Sequence, residues 1–356
     1  MESDPEVGTC AKTCLNQKYQ IRGKDMITNK NKKTIGMISF LKKASVLLAL
    51  LIIGVSPVSV SAFDLFLGTG PEGTFSHFSG KMLARVINRN AGDINCKIVP
   101  SSGDIHNLTN IQGGSLDIAL IDSRMLYDAF KKAGYFEFLD IRYDNLRILF
   151  PLYEIPITLI VRDDAGITSL SGLKGKRLNA GSPRSMQHLA VDTIMAAKNW
   201  SKKDFQVLAE ITASHSQDRM AFCHGSVQAM VHIGVHPDSS LQQLFRLCSS
   251  DLVDMNDSDI EKLVKDNPAF YKINIPENVY SSHPKGVSTF GTKAILIASS
   301  DLDTKTVVTI ADAIYNSQKQ LQQAHPSLVL MPADEALKSG LGVELHPGAV
   351  TYFSGQ

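Results

Sequence analysis

The stretch FDLFLGTGPEGTFSHFSG, Phe63 to Gly80, runs from a short apolar segment through glycines at 68, 70 and 73 into residues with helical spacing. It spells G-x-G-x-x-G, the dinucleotide fingerprint. That reading also needs an acidic residue about 20 positions on, at the tip of a second strand, to hold a ribose. Here the second apolar run ends at Val99-Pro100 and continues Ser101-Ser102-Gly103, with no carboxylate at its tip. A dinucleotide enzyme is therefore set aside. A tight glycine turn after a strand still aims backbone N–H groups outward, with the Thr69 and Thr74 hydroxyls beside them. Such a nest near a helix start suits a carboxylate or phosphate.

From Met37 the chain reads MISFLKKASVLLALLIIGVSPVSVSA. Lys42 and Lys43 precede an apolar run, Ala44 to Val55, and Val60-Ser61-Ala62 is a small-residue cleavage site. This is the pattern of a secretory signal peptide, residues 37–62. The run is shorter than the roughly 20 apolar residues of a membrane span. Residues 1–36 are polar, Lys- and Asn-rich and without periodicity, so Met37 is the expected translation start. The alternative is a disordered extension ahead of an uncleaved anchor. An exported mature chain, in the periplasm of a Gram-negative bacterium, is the expectation.

Of 36 basic and 35 acidic residues, nine and four lie in residues 1–62, which leaves 27 and 31, a formal net charge of −4. No basic stripe for nucleic acid follows from that balance. The 294 remaining residues suffice for two domains with cores of ordinary size. Cys96, Cys223 and Cys248 remain after residue 62, with no C-x-x-C pair. One disulfide, Cys223 to Cys248, and three buried thiols are both open readings.

Strand-like runs at Asp64–Gly68, Cys96–Pro100, Asp117–Ile121, Arg177–Ala180, Val207–Glu210 and Val227–His232 alternate with helical spacing at Ser79–Asn90, Ile105–Gln112, Ser123–Lys132, Ser185–Asn199 and Ser216–His224. The alternation predicts α/β layers with largely parallel sheets. Leu146 to Asp164 reads instead as two strand-like runs, Leu146–Tyr153 and Ile157–Arg162, joined without a helix. Gly286 to Ser300 is a second long extended stretch, with an apolar run at Lys293–Ala298. Paired, these would carry the chain from one lobe to another and back. The expected division is 63–150 for lobe 1, 151–288 for lobe 2 and 289–356 for the return. Leu302 to His325 reads as one long amphipathic helix.

The glycine loop has sister turns. PSSGDIHNL puts Ser101, Ser102 and Gly103 before a helix, and LIDSRMLYDAF offers Asp122 and Ser123 as caps. RLNAGSPRSMQHL places Gly181, Ser182, Pro183, Arg184 and Ser185 between a strand and a helix. Each alone is explained by N-capping. Four Gly- and Ser-rich strand-to-helix turns point to a site at the carboxyl ends of parallel strands.

Together these residues resemble the TAXI-type solute receptors of TRAP (tripartite ATP-independent periplasmic) transporters. Gly68-Thr69-Gly70 through Gly73-Thr74-Phe75 is similar to their G-T-G-G-x-x-G-T-Y-Y opening, and Ser101 to Leu108 to T-G-G-S-V-E-N-L. GGSLDIALIDSRMLYDAF, the run from Leu146 to Pro183, MVHIGVHPDSSLQQL and HPGAVTYF extend the resemblance from Phe63 to the chain's end. It implies a two-lobed, class II-like periplasmic binding fold, closing by a hinge on a small carboxylate-bearing ligand such as an amino acid or organic acid. It further implies a monomer that hands the ligand to TRAP-type membrane permease subunits, with no enzyme activity and no cofactor. An exported sensor or antigen that keeps the fold without transport is the alternative.

The resemblance implies a pocket of Gly70, Thr74, Phe75, Ser102, Gly103, Asp104, Asp122 and Ser123 from one lobe. The other lobe would add Ser182, Arg184, Ser185, Met186, Val235 and His236. Pro71 replaces a glycine of the pattern, Phe75-Ser76 a tyrosine pair, Asp104 a serine and Asp122 a glutamine. Two carboxylates beside an anion nest point to a ligand with a cationic group, held by Asp104 or Asp122, while Arg184 offers a fork for a carboxylate. The plain alternative is that both aspartates only cap helices. His232 and His236 flank Gly234 on a strand-to-loop run, too far apart in that conformation to share a metal ion. No nucleophile elbow, zinc-protease motif or P-loop is present after residue 62.

Overall fold

In a computed structural model the described residues are 62–211, 215–281, 285–336 and 341–355. The expected signal peptide and N-terminal extension lie outside them, apart from Ala62. The first lobe opens with β1 (Phe63–Thr69), α1 (Phe75–Asn90), β2 (Ile94–Pro100), α2 (Asp104–Gln112), β3 (Ile118–Asp122) and α3 (Ser123–Lys131). Strand β4 (Leu146–Arg162) crosses to the second lobe. There β5 (Arg177–Asn179), α4 (Met186–Ala197), β6 (Val207–Ala209), α5 (His215–Cys223), β7 (Ala229–Ile233), α6 (Ser239–Leu247), β8 (Ser250–Val253), α7 (Ser258–Asp266) and β9 (Tyr271–Ile275) follow. Strand β10 (Val287–Ser299) returns to the first lobe, where α8 (Thr304–Tyr315), α9 (Gln318–Ala324), α10 (Ala333–Ala336) and α11 (Pro347–Ser354) end the chain.

The strands share one sheet in the order β2-β1-β3-β10-β4-β7-β5-β6, with β8 on β4 and β9 on β10. β1 is parallel to β2 and β3, and β10 is antiparallel to both β3 and β4. β4 is antiparallel to β7, which is parallel to β5 and so to β6. It follows that β3 and β4 point the same way and β7 points back against them. The carboxyl ends of the parallel strands in both lobes therefore face each other across the crossover. This is the two-lobed, class II-like α/β arrangement expected from the sequence, with two crossover strands.

Separate cores hold the lobes. Leu65, Leu67, Leu83, Ile87, Leu296, Ile310 and Phe353 pack in the first, and Leu159, Leu173, Val191, Ile194, Phe205 and Ile260 in the second. At about 25 cal/mol per Å² of apolar surface, such burial is the main term holding each lobe.

Two expectations change and one open reading is settled. The stretch from Leu146 is one continuous 17-residue strand rather than two runs. Pro151 is tolerated inside it because the register shifts beside it, between Ala294 and Ile295 of β10. The expected helix from Leu302 to His325 is two helices, α8 and α9. Buried Ser317 bonds back to the Ala313 carbonyl at 2.8 Å and takes the Asn90 amide of α1 at 2.9 Å, which breaks the run at Asn316-Ser317. Of the two readings left open for the cysteines, the disulfide holds: Cys223 and Cys248 are paired, 5.2 Å apart at Cα, and Cys96 is a buried thiol.

Candidate functional site

The facing strand ends enclose a cleft of about 430 Å³. Lobe 1 contributes Thr74, Phe75 and Ser76 from the glycine turn, Asp104 from the start of α2, and Asp122 from the end of β3. Tyr153, Ile155 and Ala294 of the crossover strands form its back. Lobe 2 contributes Met186 and Gln187 at the start of α4, Arg219 of α5, Met230 to Val235 at the end of β7, and Ser240, Leu241 and Leu244 of α6.

The glycine turn is built for itself. Thr74 caps α1, accepting the His77 N–H at 3.3 Å and donating to the Pro71 carbonyl at 2.7 Å. The Gly70 N–H donates to Ser76 Oγ at 3.0 Å, and Thr69 Oγ1 lies 3.1 Å from His77 Nδ1. The Gly70 N–H and the Thr74 hydroxyl are thus engaged inside the turn, so neither is left for the anion expected at this nest. Gly70 falls outside the cleft lining, and a Cβ there would meet Thr74 Oγ1 at 3.0 Å.

Two other turns carry the charge. Asp104 Oδ2 accepts the Asp122 backbone N–H at 3.1 Å. Asp122, buried, caps α3 by accepting the Arg124 N–H at 2.8 Å, and takes the Thr292 hydroxyl of β10 at its other oxygen. The capping role foreseen for Asp122 is therefore real, but both carboxyls also line the cleft. Burial, and secondarily the neighbouring Asp122, pushes Asp104 up to about 7. Burial pushes Asp122 up to about 6, against the hydrogen bonds from Thr292 and Arg124. Tyr153, 3.2 Å from Ser79 Oγ, has its phenol raised further by burial.

Several expected residues are elsewhere. Ser102 and Gly103 border the Asp104 turn without lining the cleft, and the Gly103 N–H is taken by Ser101 Oγ at 3.0 Å. Buried Ser123 donates to the Ala269 carbonyl at 2.8 Å and accepts the Lys293 N–H at 3.0 Å, which turns its hydroxyl away. Ser182 accepts the Ser185 N–H through its carbonyl, and Ser185 caps α4 through its hydroxyl. Arg184 is exposed, outside the lining, with a left-handed φ of 69°. His236 is 2.7 Å from the Tyr280 hydroxyl and 2.9 Å from that of Thr158, and burial lowers it to about 3, so it is a neutral structural residue. The His232 and His236 rings are 5.9 Å apart, closer than an extended run gives, because the chain turns at Gly234 to Pro237. Among the described residues no group of three or more His, Cys, Asp or Glu could hold a metal ion.

The lining residues that sequence reasoning missed include Tyr153, Ile155, Gln187, Arg219, Met230, Ser240, Leu241 and Leu244. Tyr153 and Ile155 alternate on one face of β4, a signal hidden because that strand is apolar on both faces. Gln187 directly follows the expected Met186.

Residues 67–356 match the NMT1-like family. The chain belongs to that family. Solved structures similar to this NMT1-like chain include the periplasmic aliphatic sulphonate binding protein SsuA of Escherichia coli. It is 14% identical over 83% of this chain and 79% of that one, with a TM-score of 0.46. PhnD1 of Prochlorococcus marinus, in complex with methylphosphonate, is 14% identical over 78% of this chain and 97% of that one, TM-score 0.47. The binding protein component of an ABC phosphonate transporter of Pseudomonas aeruginosa is 13% identical over 76% and 80%, TM-score 0.41.

Proposed function

We propose that this NMT1-like protein is an exported, periplasmic solute-binding protein. It captures a small amine-bearing solute, an α-amino acid being the best fit, by closing its two lobes. One observation carries the reading: strand ends of both lobes meet at a single cleft whose lobe 1 wall holds the Asp104 and Asp122 carboxyls. Their place beside Met186, Met230, Leu241 and Leu244 suits an ammonium with a compact apolar body. Arg219 of lobe 2 supplies the opposite charge for a carboxylate. Contacts from both lobes favour the closed state, so ligand shifts the population rather than forcing a new shape.

Delivery to a membrane permease completes the reading. The motif resemblance supports the TRAP type, whereas the Pseudomonas protein named above serves an ABC transporter. Growth on the bound solute after deletion of each class of permease separates the two.

The solute class is tested by calorimetry of the full chain with L-leucine, isoamylamine, 4-methylpentanoate and isopentyl sulfonate. The amino acid and amine should bind, and Asp104→Asn should weaken both by about tenfold or more, the size expected when a charged hydrogen bond is lost. Tight binding of the sulfonate, unchanged in Asp104→Asn, would overturn the amine assignment.

A further inference from the structure

The crossover strands have two faces, and the cleft uses only one. Register pairs Ala294 with Tyr153 and Thr292 with Ile155, and these residues point toward the cleft or the Asp122 carboxyl. The intervening pair, Lys293 with Glu154, must point the opposite way, because successive strand residues alternate. On that reverse face lies a second cavity of about 430 Å³. Ile273 and Ile275 of β9, with Val279, form its lobe 2 side, and Leu330 and Met331 its lobe 1 side.

Lys293 lies in this cavity with 9% of its surface exposed. A buried ammonium carries a large desolvation cost unless strong acceptors surround it. Its contacts are weak ones: Nζ sits 3.5 Å from Met331 Sδ and 4.1 Å from the centre of the Tyr271 ring. Neither a thioether nor a ring face accepts as a carboxylate does. Glu154 and Glu335, both exposed, stand on the same cavity and are the carboxylates whose charge Lys293 senses. Among the described residues neither forms an ion pair with it. Burial lowers the ammonium's proton affinity and these two acids oppose that. The cavity thus holds a deep cation, exposed acids and mostly apolar walls between, with His236, Asn274 and Ser327 also on its lining and Tyr153 shared with the cleft.

We propose that this cavity behind the crossover strands is a second binding site, separate from the cleft, for an α-amino acid with an apolar side chain. Its carboxylate replaces the weak acceptors at Lys293, its ammonium lies toward Glu154 and Glu335, and its side chain rests on Ile273, Ile275 and Leu330. A simple anion would meet two uncompensated acids, and a simple amine would leave Lys293 unsatisfied, so the zwitterion is the matching chemistry.

Methionine methyl resonances separate the two sites, since Met331 lines this cavity and Met186 and Met230 line the cleft. The full chain carrying ¹³C-methyl methionine is titrated with L-leucine, 4-methylpentanoate and isoamylamine, with Met331→Leu fixing the assignment. Saturable movement of the Met331 signal by L-leucine, at least about tenfold weaker with either single-charge analogue, is the expected result. Lys293→Met should abolish that movement. Glu335→Gln, at an exposed position, should weaken leucine and leave 4-methylpentanoate unchanged or tighter. A Met331 signal that stays still while Met186 or Met230 moves overturns this second site but leaves the cleft assignment intact. Equal response to leucine and 4-methylpentanoate overturns the zwitterion, and no effect of Glu335→Gln removes the role of the acids.

Discussion

The two walls of the cleft are made differently. Lobe 1 presents short polar groups fixed at strand ends: the Thr74 cap, Asp104 and Asp122, each tied to backbone within a residue or two of where a helix starts. Lobe 2 presents mostly helix and strand faces, with Met186, Met230, Leu241 and Leu244 as its apolar surface. Charge on the first wall is set by capping geometry, which leaves little freedom. Shape on the second is set by how α5 and α6 lie against β7. The contrast implies that lobe 1 decides which head group is held and lobe 2 decides how well the rest fits.

The largest expected effect comes from loosening the second wall. The Cys223–Cys248 disulfide joins the end of α5 to the residue after α6, closing a 25-residue separation. In the chain-entropy account a loop of that size contributes about 3.5 kcal/mol. Replacing both cysteines by serine should lower unfolding stability by about that amount, read by urea titration. Affinity should drop for amine and acid ligands alike, with their ratio unchanged. A changed ratio would mean that lobe 2 also selects the head group.

The first wall is tested by pH. Asp104 and Asp122 have folded values of about 7 and about 6, above the ordinary 3.8. Between those limits the folded chain binds more protons than the unfolded one, so their contribution to stability is full below about 4. It is lost as pH rises through about 7. A cationic solute favours the ionised carboxyls, so its affinity should move the other way. From pH 8 to pH 5.5 we expect about a tenfold loss of amine affinity together with a gain in apo stability. Both slopes should flatten in Asp104→Asn. Parallel slopes, or none, would separate these carboxyls from the ligand.

How much of this was legible in the sequence follows the same division. The strand-to-helix turns that build lobe 1 announce themselves through Gly, Ser and Asp; Asp122 could be picked out because local rules place caps, whereas Asp104 came from the motif resemblance, its helix being capped at Gly103. The lobe 2 lining depends on which way α5 and α6 face, which no local rule fixes, so Arg219, Leu241 and Leu244 were missed. Residues 239–275, which form α6, β8, α7 and β9, were not read as strands or helices from the sequence. Lys293 was read simply as part of an apolar strand, because β10 is buried on both faces and alternation cannot mark which face a side chain takes. The break at Ser317 depends on an amide from α1, a contact more than 200 positions away in sequence.

The smallest effect concerns the loop that looked most like a binding motif. Gly73 has a φ of +84°, yet a Cβ there would meet nothing within 4 Å. Gly73→Ala therefore adds only the backbone cost of a left-handed alanine, about 1 kcal/mol, with no clash to relieve. Because the Gly70 N–H and the Thr74 hydroxyl are engaged within the turn, amine affinity should stay within about twofold of the parent. Calorimetry on the Gly73→Ala chain, below its unfolding temperature, reads this directly. A larger loss would mean that the turn's remaining N–H groups touch the solute. Head-group selection would then belong to the glycine loop as well as to the two aspartates.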